Sequence, residues 1–95
     1  MEEITLQQLK ALQQKSNEIL LIDVREKYEH EAYNIGGILV PLSQVMVYAG
    51  QIPKEKTVVF YCRKGIRSQI AIQRLQDRFG FTNLLNLKGG IGDGP

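Results

Sequence analysis

The segment VVFYCRKGIRSQ, residues 58–69, contains the single cysteine of a 95-residue chain. Apolar and aromatic residues lead directly into Cys62, and three cations, a glycine and a serine follow it within six positions. The run TVVFY over residues 57–61 predicts a buried strand, because β-branched and aromatic side chains favour strands. We therefore expect a strand that ends at Cys62, a short loop, and a helix that begins near Arg67 or Ser68.

Apolar strand-like segments and helical segments alternate on both sides of this strand. The predicted strands cover residues 18–24, 38–42, 57–61 and 83–87, and the predicted helices cover residues 6–14, 25–34, 43–50 and 67–79. This alternation predicts an α/β fold with a central parallel sheet of about five short strands and helices on both faces. Ligands of open α/β sheets bind at the carboxyl ends of the strands, where Cys62 lies.

Length and composition predict one domain over residues 1–95, either complete or cut from a longer protein. Twelve Lys and Arg against ten Asp and Glu leave a net charge of +2, which does not indicate a nucleic-acid partner. No apolar run approaches the roughly 20 residues of a membrane span. The start MEEITLQQLK does not resemble a signal peptide, and one cysteine forms no internal disulfide. These features favour a cytoplasmic protein without a membrane partner.

The loop after Cys62 has the composition of an anion-binding loop. Backbone N–H groups that curl around the sulfur would form a nest, Gly65 permits the required backbone conformation, and the following helix adds the positive end of its dipole. Further charge comes from Arg63, Lys64 and Arg67. These features favour the nucleophilic thiolate over the thiol. The alternative interpretation is that Cys62 is a small buried hydrophobic residue.

Four segments resemble the rhodanese-like sulfurtransferase family, and together they span nearly the whole chain. LIDVRE (21–26) resembles the strand of that family that ends in Asp-x-Arg, and YNIGGILVPL (33–42) resembles its His-Ile-Pro-Gly-Ala segment. CRKGIRS (62–68) resembles the active-site loop, and NLKGGI (86–91) resembles the glycine motif near the C-terminus of the family.

The resemblance implies a persulfide mechanism without a cofactor. Cys62 would be the catalytic residue, which takes the outer sulfur of a donor and passes it to a nucleophilic acceptor. The active-site loop would consist of Arg63, Lys64, Gly65, Ile66, Arg67 and Ser68. Since Arg63 and Lys64 resemble the cations of thiosulfate-using members, they imply a small anionic donor such as thiosulfate, or a protein persulfide.

Two features depart from the usual family pattern. Asn34 and Gly36 stand where the family often has His and Pro, and this variant resembles the rhodanese-like domains joined to adenylating enzymes of molybdopterin and thiamine biosynthesis. Those domains hand sulfur to a ubiquitin-fold sulfur-carrier protein, which makes such a carrier, or another protein acceptor, a candidate partner. The sequence ends at GGIGDGP, without the aromatic residue and final helix of most members.

Other residues are assigned from their positions along the chain. Asp23 and Arg25 end a strand beside the predicted site and are interpreted as a scaffold that holds the loop, rather than as catalytic residues. His30 is interpreted as a solvated residue on a helix face, with a role as a base as the alternative.

Ser68 is predicted to cap the following helix, or to hydrogen-bond the cysteine sulfur. Tyr61 is predicted to point away from Cys62 into the core. No Cys/His cluster has metal-ligand spacing, so no metal site is expected.

Two other functions remain open from the residues alone. Cysteine-dependent phosphatases and arsenate reductases use a similar loop, but they have arginine six positions after the cysteine, where this chain has Ser68 and places Arg67 one residue short. A rhodanese-like domain can also act as a non-catalytic recognition module, although such domains have lost the cysteine that is present here.

Overall fold

The computed structural model describes residues 2–16 and 18–94. Its strands are β1 (Glu3–Ile4), β2 (Ile19–Asp23), β3 (Ile38–Leu39), β4 (Thr57–Tyr61) and β5 (Leu84–Leu87). Its α-helices are α1 (Leu6–Lys15), α2 (Lys27–Ala32), α3 (Val45–Tyr48) and α4 (Ile66–Phe79). Short 3-10 segments at Leu42–Gln44 and Ala49–Gln51 flank α3. No helix within the described part of the chain has both the length and the apolar character needed to cross a membrane.

The five strands form one parallel sheet in the order β1-β5-β4-β2-β3. This confirms the predicted α/β fold and places β4, the strand that leads into Cys62, at the centre of the sheet. The edge strand β1 was not predicted, because its two residues are too few to form a recognisable alternating pattern.

Helices cover both faces of the sheet, as predicted. Along β4, Val58 and Phe60 pack with residues of α3 and α4, whereas Val59 and Tyr61 pack with Leu9 of α1 on the other face. Cys62 belongs to the first cluster and Tyr61 to the second. The prediction that Tyr61 points away from Cys62 into the core is therefore confirmed.

Several predicted boundaries are wrong by a few residues. The strand predicted over 38–42 is shorter: β3 covers Ile38–Leu39, although the N–H groups of Val40 and Leu42 still donate to the carbonyls of Asp23 and Val24. The helix predicted over 43–50 is a four-residue α3 between two 3-10 segments. Helix α4 begins at Ile66, before the predicted start, because Gly65 at φ +92° lets the chain turn directly into the helix.

Candidate active site

Cys62 follows the last residue of β4, at the carboxyl edge of the sheet. Cys62 is 1% exposed and forms part of the wall of a cavity of about 210 Å³. The other lining residues are Arg63, Lys64, Ile66 and Arg67. Because α4 begins four residues after Cys62, its first N–H groups lie beside the sulfur.

Three hydrogen-bonding groups surround the sulfur atom. The backbone N–H of Gly65 donates to Cys62 Sγ over 3.0 Å and that of Ser68 donates over 3.5 Å. Ser68 Oγ lies 3.4 Å from the same sulfur. Burial raises the pKa of the Cys62 thiol, but hydrogen bonding with the Ser68 side chain and with the N–H groups of Ser68, Gly65 and Lys64 lowers it by more, so the net pKa lies below the ordinary value.

Ser68 does not cap α4. Gly65 holds the N-cap position, so Ser68 lies inside the first turn with its side chain fully buried. The capping prediction is wrong for this reason, and the alternative, a hydrogen bond to the cysteine sulfur, is the arrangement observed.

Asn86 is a site residue that the sequence analysis missed. It is 1% exposed on β5, and its Oδ1 accepts a hydrogen bond from Ser68 Oγ over 2.5 Å. Its Nδ2 donates to the carbonyl oxygen of Gly65 over 3.1 Å and to Glu3 Oε2 over 3.3 Å. The signal in the sequence was an asparagine within the otherwise apolar strand LLNL, since a buried polar side chain needs specific partners.

The glycine motif of the C-terminal segment lies directly behind the loop. Ile91 N–H donates to the Cys62 carbonyl over 3.0 Å, and Gly92 N–H donates to the Arg63 carbonyl over 2.9 Å. A Cβ atom on Gly90 would overlap the carbonyl groups of both Cys62 and Arg63. The absence of a side chain at Gly90 therefore allows this segment to support the loop.

The three cations near Cys62 do not form the unopposed positive field that the sequence suggested. Arg63 makes a bidentate ion pair with Asp93 at 2.5 and 2.7 Å. Arg67 makes another with Glu29 of α2 at 2.7 and 2.9 Å, which lowers the pKa of the Glu29 carboxyl to about 2. Lys64 makes no ion pair with the described residues.

Asp23 and Arg25 form a buried ion pair next to the site. Arg25 Nε and NH2 donate to the two oxygens of Asp23 over 2.9 and 2.8 Å, and Arg25 NH2 also donates to the Tyr33 carbonyl. Burial raises the pKa of the Asp23 carboxyl, but hydrogen bonds with Arg25 and His30 lower it by a larger amount, so the net pKa lies below the ordinary value. The link between this ion pair and the loop is indirect. Asp23 contacts His30 of α2, and Glu29 of the same helix binds Arg67 of the loop.

His30 is not a solvated residue, in contrast to its interpretation from the sequence. Its Nδ1 lies 2.8 Å from Asp23 Oδ2, and its side chain is 22% exposed. The helical position next to glutamates suggested solvent, but the fold turns this face of α2 toward the end of β2. Across residues 2–16 and 18–94, no three His, Cys, Asp or Glu side chains converge as metal ligands.

The fold and the Cys62 loop define a rhodanese-type arrangement, and comparison with known proteins gives the same result. The family model described as "Rhodanese-like domain" matches residues 5–93. The chain therefore belongs to the rhodanese-like domain family.

Three similar proteins illustrate this membership. "Probable adenylyltransferase/sulfurtransferase MoeZ" of Mycobacterium tuberculosis is 33% identical over 91 residues, covering 93% of this chain and 23% of MoeZ. "Thiosulfate sulfurtransferase GlpE" of Coxiella burnetii is 34% identical over 78 residues, covering 81% of this chain and 72% of GlpE. The crystal structure of a rhodanese-like domain protein from Staphylococcus aureus superposes with a TM-score of 0.85 at 25% identity, over 96% of this chain and 88% of that one.

These similarities support sulfur transfer at the level of the family. They also confirm the expected likeness to rhodanese-like domains joined to adenylating enzymes, since MoeZ is named for both activities. The chain spans less than a quarter of the length of MoeZ.

Proposed function

We propose that this chain is a sulfurtransferase that carries sulfane sulfur as a persulfide on Cys62, from thiosulfate or a persulfide donor to a nucleophilic or protein acceptor. The observation that carries the proposal is the buried Cys62 sulfur, which accepts hydrogen bonds from the N–H groups of Gly65 and Ser68 at the wall of a cavity. Such donors favour an anion on sulfur without contributing a competing formal charge.

The first step forms the persulfide. The Cys62 thiolate attacks the outer sulfur of thiosulfate, the S–S bond of the donor breaks, and sulfite leaves with the electron pair. The terminal sulfur then carries the negative charge, and we expect the N–H groups of the loop to stabilise it as they would the thiolate. In the second step an acceptor nucleophile attacks this terminal sulfur, and the Cys62 thiolate is released for another cycle.

Lys64 is the best-placed group to bind the sulfonate end of an anionic donor. It lines the cavity and makes no ion pair with the described residues, whereas Arg63 and Arg67 are each engaged by a carboxylate. The name of the Coxiella relative supports thiosulfate as a donor. We assign Arg63 and Arg67 to shaping the entrance of the cavity.

A protein is a suitable acceptor or donor because the entrance is open and partly apolar. Ile66 lines the same cavity as Lys64 and is 62% exposed, so it adds apolar surface to the entrance. A ubiquitin-fold sulfur carrier with a C-terminal carboxylate would bring an anionic group to Lys64. The naming of MoeZ as an adenylyltransferase and a sulfurtransferase supports this class of partner, and with it a role in molybdopterin biosynthesis.

The alternative functions account for the site less well. A cysteine-dependent phosphatase requires a guanidinium where this loop has the Ser68 hydroxyl, and Arg67 is instead bound to Glu29. A recognition module has no need for three hydrogen-bonding groups around a thiol.

The test is steady-state transfer of sulfur from thiosulfate to cyanide by the parent protein and by Cys62→Ser. The parent should turn over, and Cys62→Ser should have no activity above background while it unfolds at the same urea concentration as the parent. Substantial turnover by Cys62→Ser would contradict the proposal, and so would a folded parent that transfers no sulfur from thiosulfate or from a persulfide donor.

A further inference from the structure

The buried hydrogen bonds behind Cys62 restrict where the Ser68 proton can lie. A serine hydroxyl has one proton to donate, whereas Ser68 Oγ has two neighbours, Cys62 Sγ at 3.4 Å and Asn86 Oδ1 at 2.5 Å. Only one of these two neighbours can receive the proton at a time.

The orientation of the Asn86 amide follows from its other contacts. Its Nδ2 faces two acceptors, the Gly65 carbonyl and the Glu3 carboxylate. The reversed amide would place Oδ1 against both of these oxygens, which cannot donate. Since Oδ1 must therefore face Ser68, and since a carbonyl oxygen only accepts, the Ser68 proton points to Asn86.

This assignment depends on the charge of the sulfur. A protonated Cys62 can donate its S–H to the free lone pair of Ser68 Oγ, which gives Cys62, Ser68 and Asn86 Oδ1 each a hydrogen-bond partner. A Cys62 thiolate has no proton to donate, so it can bond to Ser68 Oγ only by accepting the hydroxyl proton. The hydroxyl must then turn from Asn86 to the sulfur, and this leaves Asn86 Oδ1 buried without a partner.

We propose that Asn86 is a positioning residue that competes with the Cys62 sulfur for the Ser68 proton, holding it while the sulfur is neutral and losing it when the sulfur is anionic. This inference rests on the proposed role of Cys62 as the reacting atom. Asn86 thereby opposes ionisation of the sulfur, while the N–H groups of Gly65 and Ser68 favour it.

Replacement of the buried Asn86 should make Cys62 easier to ionise, not harder. Asn86→Ala should free the Ser68 proton for the sulfur and lower the pH midpoint of Cys62 alkylation, by up to about one unit for one hydrogen bond. If Asn86 only supports the loop through Gly65, its loss should disorder the N–H donors and raise the midpoint instead.

The experiment measures the rate of iodoacetamide alkylation against pH for the parent, Asn86→Ala, Ser68→Ala and the double variant. The readout is specific, because Cys62 is the only thiol of the chain, and it does not require sulfur transfer to occur. The fall in midpoint caused by Asn86→Ala should disappear in the Ser68→Ala background, where there is no hydroxyl proton to release.

Two further variants keep the test decisive. Asn86→Leu preserves the volume of the side chain and should lower the midpoint in the same way if Asn86→Ala does not fold. Asn83→Ala removes an asparagine from the opposite end of the same strand region, where its Nδ2 binds the Pro53 and Lys56 carbonyls, and should leave the midpoint unchanged. A rise or no change with both Asn86 variants, or an equal shift in the Ser68→Ala background, would overturn the proposal.

Discussion

The Cys62 site has a floor and a rim that handle charge differently. The floor consists of the Cys62 sulfur and the groups around it on Gly65, Ser68 and Asn86, all of them buried and uncharged apart from the sulfur itself. The rim consists of Arg63, Lys64, Ile66 and Arg67, and two of its three cations are matched by carboxylates.

This difference separates two tasks. Fixed N–H donors stabilise an anion without moving and without screening by salt, so the floor should control ionisation and the chemical step. Exposed charges contribute less and are screened, so the rim should control which donors bind. Substitutions in the floor are therefore expected to act on kcat and on pH dependence, and those in the rim on KM.

Among residues other than Cys62 itself, the largest effect is expected from Gly90→Ala, which displaces the backbone behind the floor. The new Cβ would overlap the carbonyl groups of Cys62 and Arg63, which belong to the backbone and cannot rotate away. Because a displacement of about 1 Å in a catalytic group can cost a hundredfold, kcat/KM should fall by about a factor of one hundred.

The matched control for this variant is Gly92→Ala. Both glycines have φ +67°, but nothing lies within 4 Å of a Cβ on Gly92. Both variants carry the strain of a left-handed alanine, about 1–2 kcal/mol, so only the overlap differs. Equal activity of the two variants in the thiosulfate–cyanide assay would refute the role given to the close packing behind the loop.

A smaller effect is expected from Lys64→Ala in the rim. Loss of the cation should raise the KM for thiosulfate up to about tenfold with little change in kcat, since a charge-assisted hydrogen bond is worth about 1.5–3 kcal/mol when well formed and less when wet. Added salt should weaken thiosulfate binding by the parent and affect Lys64→Ala less.

Two control variants test whether Lys64 differs from the other cations. Arg63→Ala should change KM less than Lys64→Ala does, because Asp93 already engages the guanidinium. Lys10→Ala, on the exposed side of α1, should change nothing. An increase for Arg63→Ala that equals or exceeds that of Lys64→Ala would show that Asp93 does not occupy the guanidinium during turnover.

The last variant, Glu29→Gln, breaks the bidentate ion pair with Arg67 and is tested through stability. In the folded parent protein the pKa of the Glu29 carboxyl is about 2, below the ordinary value. The ion pair therefore stabilises the fold above about pH 4.3, and this stabilisation is lost as the pH falls toward 2. Since Arg67 is partly exposed, Glu29→Gln should lower the free energy of unfolding at pH 7 by only about 1–2 kcal/mol.

Urea unfolding of the parent and of Glu29→Gln at pH 7 and near pH 3 measures this difference. The gap between the two proteins should narrow at the lower pH. Glu31→Gln, an exposed acid on the same helix, should unfold as the parent does at both pH values. A gap that stays constant or widens on acidification would show that the Glu29 charge is not its source.

The fold could be predicted from the sequence to a large extent. The central strand, the helix after Cys62 and the parallel arrangement follow from apolar runs and helical spacing, which are local signals. The edge strand β1 gave no such signal, because its pairing with β5 places residues more than 80 positions apart in contact.

The site could be predicted only in part, for the same physical reason. Cys62 and its loop were identified because strand, glycine and helix follow one another within a few residues. The partners of Arg63 and Arg67 lie 30 and 38 residues away, so their ion pairs could not be read from local charge. His30 was misassigned because α2 folds back against the end of β2 and brings it to Asp23, and Ser68 does not cap α4 because Gly65 holds the N-cap position. The contact of Ser68 with Asn86 could not be read from the sequence, because it depends on β5 lying beside β4.

Mass spectrometry of the protein after incubation with thiosulfate tests whether Cys62 carries the transferred sulfur. The peptide containing Cys62 should gain the mass of one sulfur atom, reduction or cyanide should remove it, and Cys62→Ser should show no such gain. A folded protein that acquires no sulfur on Cys62 from thiosulfate or from a low-molecular-weight persulfide, or that acquires it at another residue, would rule out a Cys62 persulfide as the carrier.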